Sequence, residues 1–170
     1  MNRLYWDSCT YLDFLKGDHP LHDNMLAVLK DWQDGKITLV TSALTIVEVL
    51  WVKCDDNKAK SMLPRTREKE IRGLFEPQPP AELILVELSR LTGEHARDLV
   101  WRHGVKPKDA VHIASALEAR CEMLHTNDRG LQNFSEKLGG DPVLKIAEPT
   151  WERQEAMGQL LNDAGRPRPS

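Results

Sequence analysis

The sequence predicts an α/β domain of three layers, α/β/α, with a central, mainly parallel sheet of about five strands. Short apolar segments bounded by turn residues alternate with amphipathic segments along the chain, as is typical of a parallel sheet covered by helices. The length of 170 residues suits one domain with a sizeable core. Hydrophobic residues at 41% and charged residues at 29% are ordinary for a globular protein.

Five segments are predicted as strands because each is short, apolar and rich in β-branched or aromatic residues. They are residues 3–6 (RLYW), 36–41 (KITLVT), 82–88 (ELILVEL), 122–126 (EMLHT) and 142–149 (PVLKIAEP). Amphipathic spacing predicts helices over residues 8–17, 22–35, about 44–54, 58–76 with a break at Pro64, 92–104, about 107–121 and 130–134. Residues 1–149 are expected to form the domain, and residues 150–170 one more helix and a disordered tail.

The bulk properties argue against several classes of protein. No apolar run approaches the length of a membrane span, and the N-terminus (MNRLYWDS) lacks a signal-peptide core, so a cytoplasmic location and no membrane partner are expected. Cys9, Cys54 and Cys121 are far apart and form no CxxC pair, which argues against a zinc site or a disulfide framework. No P-loop, GxSxG or GxGxxG motif is present, which weakens nucleotide-binding and serine-hydrolase hypotheses.

Three aspartates stand where a parallel sheet would gather them. Asp7 follows the first predicted strand, Asp128 follows the strand at 122–126, and Asp109 lies in the first helical turn after Pro107. Ligands of open α/β sheets bind outside the carboxyl ends of the strands. Each aspartate is equally suited to capping a helix or forming a turn, so none is specific alone.

Glu48 is the acid that favours a functional site. It lies in or beside an apolar stripe at helical spacing made of Leu44, Val47, Trp51 and Cys54. An ionised carboxylate there is costly unless it pairs with a lysine or arginine or binds a cation. Glu48 is about five residues, or roughly 7 Å, into its predicted helix. That helix must therefore start above the sheet edge or cross it if Glu48 is to meet the aspartates.

If the four carboxylates converge, they raise one another's pKa and stay ionised only with a cation among them. Carboxylate oxygens without an attached cysteine or histidine set favour Mg²⁺ or Mn²⁺. Such an ion activates water and stabilises a phosphoryl group during in-line displacement.

Four stretches, in this order, resemble the motifs of the PIN-domain family of metal-dependent ribonucleases, which includes the VapC-type toxins of toxin–antitoxin pairs. They are YWDSCTYL, TSALTIVEVLW, GVKPKDAVHIASALE and MLHTNDRGLQNF, and together they spread over residues 3–146. The resemblance implies an RNA phosphodiesterase with a metal site built from Asp7, Glu48, Asp109 and Asp128. It also implies that Ser8 is the small hydroxyl residue after the first acid, and that Thr126 and Asn127 support the site by hydrogen bonding. A toxin of this family would have a small antitoxin protein as its partner, and a homodimer is expected.

Local basic segments are the candidates for RNA contact, since the net charge of −3 does not by itself indicate a nucleic-acid partner. They comprise Lys58, Lys60, Arg65 and Arg67 in one stretch and Arg102, Lys106 and Lys108 beside Asp109. The first stretch is equally consistent with a solvated helix face held by ion pairs. His112 and His125 are interpreted as half-buried histidines with satisfied hydrogen bonds. Trp32, Trp51 and Trp101 are interpreted as core or dimer contacts.

Two other functions compete with a ribonuclease. A phosphatase or phosphoacceptor domain with Asp7 as nucleophile needs a second acid close by, and the next acid is Asp13, which disfavours it. A non-catalytic PIN-like module that binds RNA or protein remains, although all four acids are present.

Overall fold

In a computed structural model of the chain, the structure describes residues 2–50 and 65–150, and of residues 65 and 66 it describes the backbone. The strands are β1 (Asn2–Trp6), β2 (Ile37–Ser42), β3 (Glu82–Val86), β4 (Met123–His125) and β5 (Lys145–Ala147). The helices are α1 (Ser8–Lys16), α2 (His22–Gln33), α3 (Ala43–Glu48), α4 (Arg65–Phe75), α5 (Arg90–His103), α6 (Pro107–Glu118) and α7 (Arg129–Gln132).

The five strands form one sheet in the order β3-β2-β1-β4-β5, and every neighbouring pair is parallel. The predicted α/β/α fold with a parallel five-stranded sheet is confirmed. The chain leaves β1 toward β2 on one side and returns to β4 on the other side. The carboxyl ends of β1 and β4 therefore flank the switch point of the sheet, where ligands of such folds bind.

Side chains alternate across the sheet and build a separate apolar core on each face. Tyr5 and Val40 point into the cluster that packs against α5 and α6. Their neighbours Trp6 and Leu39 point into the cluster that packs against α1, α2 and α4. β1 and β2 are thus apolar on both faces, as expected of strands covered by helices on both sides.

The helix predicted for about residues 44–54 ends earlier than predicted, at Glu48. α3 has its N-cap at Ser42, begins at Ala43 and ends at Glu48, and Val49 leaves the helix with φ −93° and ψ 71°. Val47, which the predicted apolar stripe included, is 61% exposed, whereas Val49 is buried. Residues 51–64, with Trp51, Cys54 and the expected break at Pro64, lie outside the described residues.

The tryptophans divide between core and surface. Trp32 is buried on α2 and donates its indole N–H to the Glu82 carbonyl at 2.7 Å, so its prediction as core is confirmed. Trp101 is 72% exposed, so it is not a core residue, and the alternative that it contacts a second copy of the chain stays a prediction. The Arg97 guanidinium lies 4.7 Å from the centre of its ring.

No helix within residues 2–50 and 65–150 is long and apolar enough to cross a membrane. The helix and disordered tail expected at the C-terminus fall on residues 151–170, which lie outside the described residues.

Candidate active site

Asp7 follows β1 directly and caps α1, so the helix-cap interpretation of this residue is correct. Its Oδ1 accepts hydrogen bonds from the backbone N–H of Thr10 at 2.8 Å and from the Thr10 hydroxyl at 3.0 Å. The carboxyl group is buried, and this burial raises its pKa despite hydrogen bonds from Thr126 and Thr10. A cap of this kind holds the carboxylate rigidly at the carboxyl end of the central strand.

Glu48 reaches the same edge of the sheet because α3 is only six residues long and follows β2 without a loop. Its Oε2 lies 2.9 Å from Nε2 of His112, and its Oε1 lies 3.1 Å from Nζ of Lys108. These hydrogen bonds, with that of His112 the strongest and Ser8 also contributing, lower the pKa of Glu48 to about 2. The partners that a carboxylate in this position was expected to need are thus His112 and Lys108, both on α6.

Asp109 and Asp128 lie near each other at the start of two helices. Asp109 occupies the first turn of α6, after Pro107. Burial raises the pKa of Asp109, and the negative charges of Asp128 and Glu48 raise it further. Asp128 caps α7 and accepts a hydrogen bond from the Gly130 N–H at 2.6 Å.

Electrostatic effects link some of the acids to one another and to Cys9. The negative charges of Asp128 and Glu48 raise the pKa of Asp109. Those of Asp7, Asp128, Asp13 and Asp109 raise the pKa of the Cys9 thiol on α1. Burial and these charges raise the pKa of Cys9 to about 12. In the side-chain positions of residues 2–50 and 65–150, no three His, Cys, Asp or Glu side chains are arranged to hold one metal ion. A metal site built from these four acids therefore stays a prediction.

The predicted supporting residues are next to the acids. Thr126 is buried at the end of β4, and its hydroxyl accepts a hydrogen bond from the Asp128 N–H at 3.1 Å. Asn127 donates its amide to Asp13 at 2.8 Å. Oδ1 of the same Asn127 amide is buried and has no hydrogen-bond partner among the described residues.

The predicted RNA contacts differ in what they touch. Lys106 and Lys108 are exposed, and their ammonium groups lie beside Asp128 at 4.0 Å and Glu48 at 3.1 Å. Arg102 is exposed and lies 3.7 Å from Asp98. Arg67 donates to the Leu15 carbonyl and to Glu70, and its side chain is 17% exposed. Lys58 and Lys60 lie outside the described residues, and of Arg65 the structure describes the backbone that starts α4.

The sequence did not predict the contacts that three residues make at the site. Thr10 had a signal, because a hydroxyl residue three positions after an aspartate at a helix start can share its cap. His112 was interpreted as a half-buried histidine with satisfied hydrogen bonds; it is buried and hydrogen-bonded, but its pairing with Glu48 was not predicted. Asp13, which holds Asn127, lies 114 residues from it in sequence, and no local pattern links the two.

Acidic side chains at the carboxyl ends of β1, β2 and β4 define an α/β protein with a polar site at the switch point of its sheet. The PIN-domain family model matches residues 4–137, and the chain belongs to that family.

Solved structures with a similar fold include the following two. The first is VapC20 of Mycobacterium tuberculosis, described as a sarcin-ricin loop cleaving toxin, with a TM-score of 0.54, 10% sequence identity and coverage of 76% of this chain and 93% of that chain. The second is FitAB bound to an IR36 DNA fragment, with a TM-score of 0.50, 13% identity and coverage of 86% and 94%. A search of curated proteins finds no match to this chain.

Proposed function

We propose that the protein is a metal-dependent endoribonuclease that hydrolyses RNA phosphodiester bonds at the site formed by Asp7, Glu48, Asp109 and Asp128. The observation that carries the proposal is where the fold puts the four acids: Asp7 directly after β1, Glu48 at the end of α3, Asp109 in the first turn of α6 and Asp128 at the N-cap of α7. Burial and the charge of Asp128 raise the pKa of Asp109, in keeping with that placement. Carboxyl groups whose pKa is perturbed by burial and by neighbouring charges are candidates for a functional site. Membership of the PIN-domain family supports a nuclease.

The donor set suits Mg²⁺ or Mn²⁺. All four acids offer hard carboxylate oxygens, and Asn127, which precedes Asp128 in the chain, offers an amide Oδ1 that has no hydrogen-bond partner among the described residues. Positive charge already faces two of the acids, because Lys106 lies beside Asp128 and Lys108 beside Glu48. We therefore propose that Asp7, Glu48, Asp109 and Asp128 hold the cation after the two flexible lysines move aside.

When bound, such an ion supplies an activated water and stabilises charge on the phosphoryl group. The chain's own residues prepare the site for it. The N-terminus of α1 and the Thr10 hydroxyl hold Oδ1 of Asp7, so that carboxylate needs no reorganisation to act. Lys106 and Lys108, once released, are free to bind the RNA phosphates on either side of the scissile bond.

The partners follow from the same family. VapC20 is described as a sarcin-ricin loop cleaving toxin, and we propose a structured or single-stranded RNA as substrate here. We also propose a cognate antitoxin protein, a homodimer and a cytoplasmic location. Residues 1–149 would carry the nuclease, and residues 150–170 would form a helix and tail appended to it.

A non-catalytic RNA- or protein-binding module is the second candidate. It is favoured by the side-chain positions of the described residues, in which no three acidic, histidine or cysteine groups surround one point. The two candidates differ in whether RNA is cut when metal is supplied.

The test incubates purified protein with a mixed RNA pool under Mg²⁺, Mn²⁺ or EDTA. Asp109→Asn removes the charge with little change of shape, and Asp98→Asn makes the same substitution on the exposed face of α5. Metal-dependent cleavage by the wild type and Asp98→Asn, absent in Asp109→Asn, supports the nuclease. RNA bound but intact in every metal, after removal of any co-purified inhibitor, favours the binding module.

A further inference from the structure

Three side chains from three separate elements form a hydrogen-bonded chain that leads from the core to Glu48. The hydroxyl of Tyr5 on β1 lies 2.8 Å from Nδ1 of His112 on α6. Nε2 of the same imidazole lies 2.9 Å from Oε2 of Glu48 at the end of α3. Tyr5 is 0% exposed and His112 is 3% exposed, so the first link is buried, and the second link, to Glu48, is partly buried.

The chemistry of the acceptor fixes the direction of the hydrogen bond to Glu48. An ionised carboxylate can only accept, so Nε2 of His112 carries the proton that it donates to Glu48. In the neutral ring, Nδ1 then accepts the hydrogen bond that the Tyr5 hydroxyl donates. The ring is also packed edge-on against Tyr5, with centroids 5.9 Å apart and planes at 68°, so its orientation is set twice.

Glu48 needs such a partner because the backbone does little to orient it. It is the last residue of a six-residue helix, and Val49 already departs from helical geometry. With Oε2 held by His112, Oε1 is the oxygen that faces outward, where it contacts the ammonium group of Lys108, a side chain that is 73% exposed. His112 thus anchors Oε2 of Glu48, and Oε1 faces the exposed side, where it is available to a ligand.

We propose that His112, seated by Tyr5, is a positioning residue that holds Glu48 ready to bind a divalent cation. The proposal rests on the proposed function, since it takes Glu48 as a ligand of the cation. Partners behind a metal ligand fix its orientation, and their removal typically lowers metal affinity about 10–100-fold. A histidine that only filled the core would leave metal affinity unchanged.

The experiment measures Mn²⁺ binding to the purified chain by the EPR signal of free Mn²⁺, with the unfolding midpoint of each variant recorded in EDTA. The variants are His112→Ala, His112→Gln, Tyr5→Phe, Tyr11→Phe and Asp109→Asn. His112→Gln keeps an N–H donor for Glu48, whereas His112→Ala removes it. Tyr11→Phe is the matched control, because the Tyr11 hydroxyl is buried on the other face of the sheet without a hydrogen-bond partner among the described residues.

We expect His112→Ala to weaken Mn²⁺ binding about 10–100-fold and Tyr5→Phe to weaken it toward the lower end of that range. His112→Gln is expected to restore most of the affinity, and Tyr11→Phe to match the wild type. Wild-type affinity in folded His112→Ala or in Tyr5→Phe overturns the positioning role. If His112→Ala does not fold, Tyr5→Phe and His112→Gln decide the question. Undiminished binding in Asp109→Asn shows instead that the ion sits elsewhere and overturns the proposed site itself.

Discussion

Lys108 places its ammonium nitrogen 3.1 Å from Oε1 of Glu48, although its side chain is 73% exposed and that of Glu48 is 14% exposed. A mobile surface cation therefore neutralises a carboxylate that is held firmly from the other side by His112. The arrangement lets the acid stay ionised without a metal, and it makes the lysine a competitor of any cation that binds there.

Lys108→Gln is accordingly expected to bind Mn²⁺ more tightly than the wild type. Exposed ion pairs contribute at most about 1 kcal/mol, so the gain should not exceed about fivefold. RNA binding in EDTA should weaken at the same time, because a phosphate contact is lost. Calorimetric titration with Mn²⁺ and an RNA-binding assay measure the two effects. Lys145→Gln, which removes an exposed lysine paired with Glu136, is the control. Weaker Mn²⁺ binding by Lys108→Gln would contradict the competition.

Asp7→Asn is expected to stabilise the metal-free protein while abolishing cleavage. Burial raises the pKa of Asp7, so the folded state holds its proton more tightly than the unfolded state does. Ionised Asp7 therefore costs stability at neutral pH, and the neutral amide removes that cost. The gain should shrink as the pH is lowered through the raised pKa, because wild-type Asp7 is then protonated too. A gain of 1 kcal/mol would raise Tm by about 2–4 °C in a chain of this size.

Thermal unfolding in EDTA between pH 8 and pH 5 checks this expectation. Asp98→Asn, at an exposed position on α5, controls for the general effect of removing a negative charge. An Asp7→Asn protein with a lower Tm than the wild type at pH 8 would show that the hydrogen bonds from Thr10 outweigh the burial of the charge.

Glu48→Gln should have the opposite effect on stability. The pKa of Glu48 is lowered to about 2, chiefly by the hydrogen bond from His112, so its ionised form stabilises the fold. That contribution is present above its ordinary pKa of 4.5 and is lost as the pH falls toward 2. We expect Glu48→Gln to lower Tm in EDTA at pH 7 by about 3–12 °C, since hydrogen bonds to charged groups contribute about 1.5–3 kcal/mol. Glu94→Gln is the surface control. A difference that persists unchanged down to pH 2 would rule out the charge as its source.

The sequence predicts the fold well because the strands are short, apolar and separated by helices with clear ends. The aspartates at strand ends were also recognisable, since a parallel sheet puts all such ends on one edge. Glu48 was singled out for a partly wrong reason, because the stripe that it was assigned to includes the exposed Val47. Its true partner, His112, is 64 residues away, and contacts at that separation depend on how α3 and α6 meet above the sheet.

Trp101 and Trp32 allow a test of how the burial of a side chain contributes to the free energy of unfolding. Both lie at apolar-looking positions of helices, yet Trp32 is 3% exposed and Trp101 is 72% exposed. Trp32→Ala should cost about 3–5 kcal/mol, because it opens a cavity between α2 and the sheet and leaves the Glu82 carbonyl without its donor. Trp101→Ala should change the free energy of unfolding by no more than about 0.5 kcal/mol, since it removes only a surface contact with Arg97. Urea unfolding followed by circular dichroism measures both, with the wild-type m-value as the check on cooperativity. A cost above 2 kcal/mol for Trp101→Ala that grows with protein concentration would mean that its indole is buried between two copies of the chain.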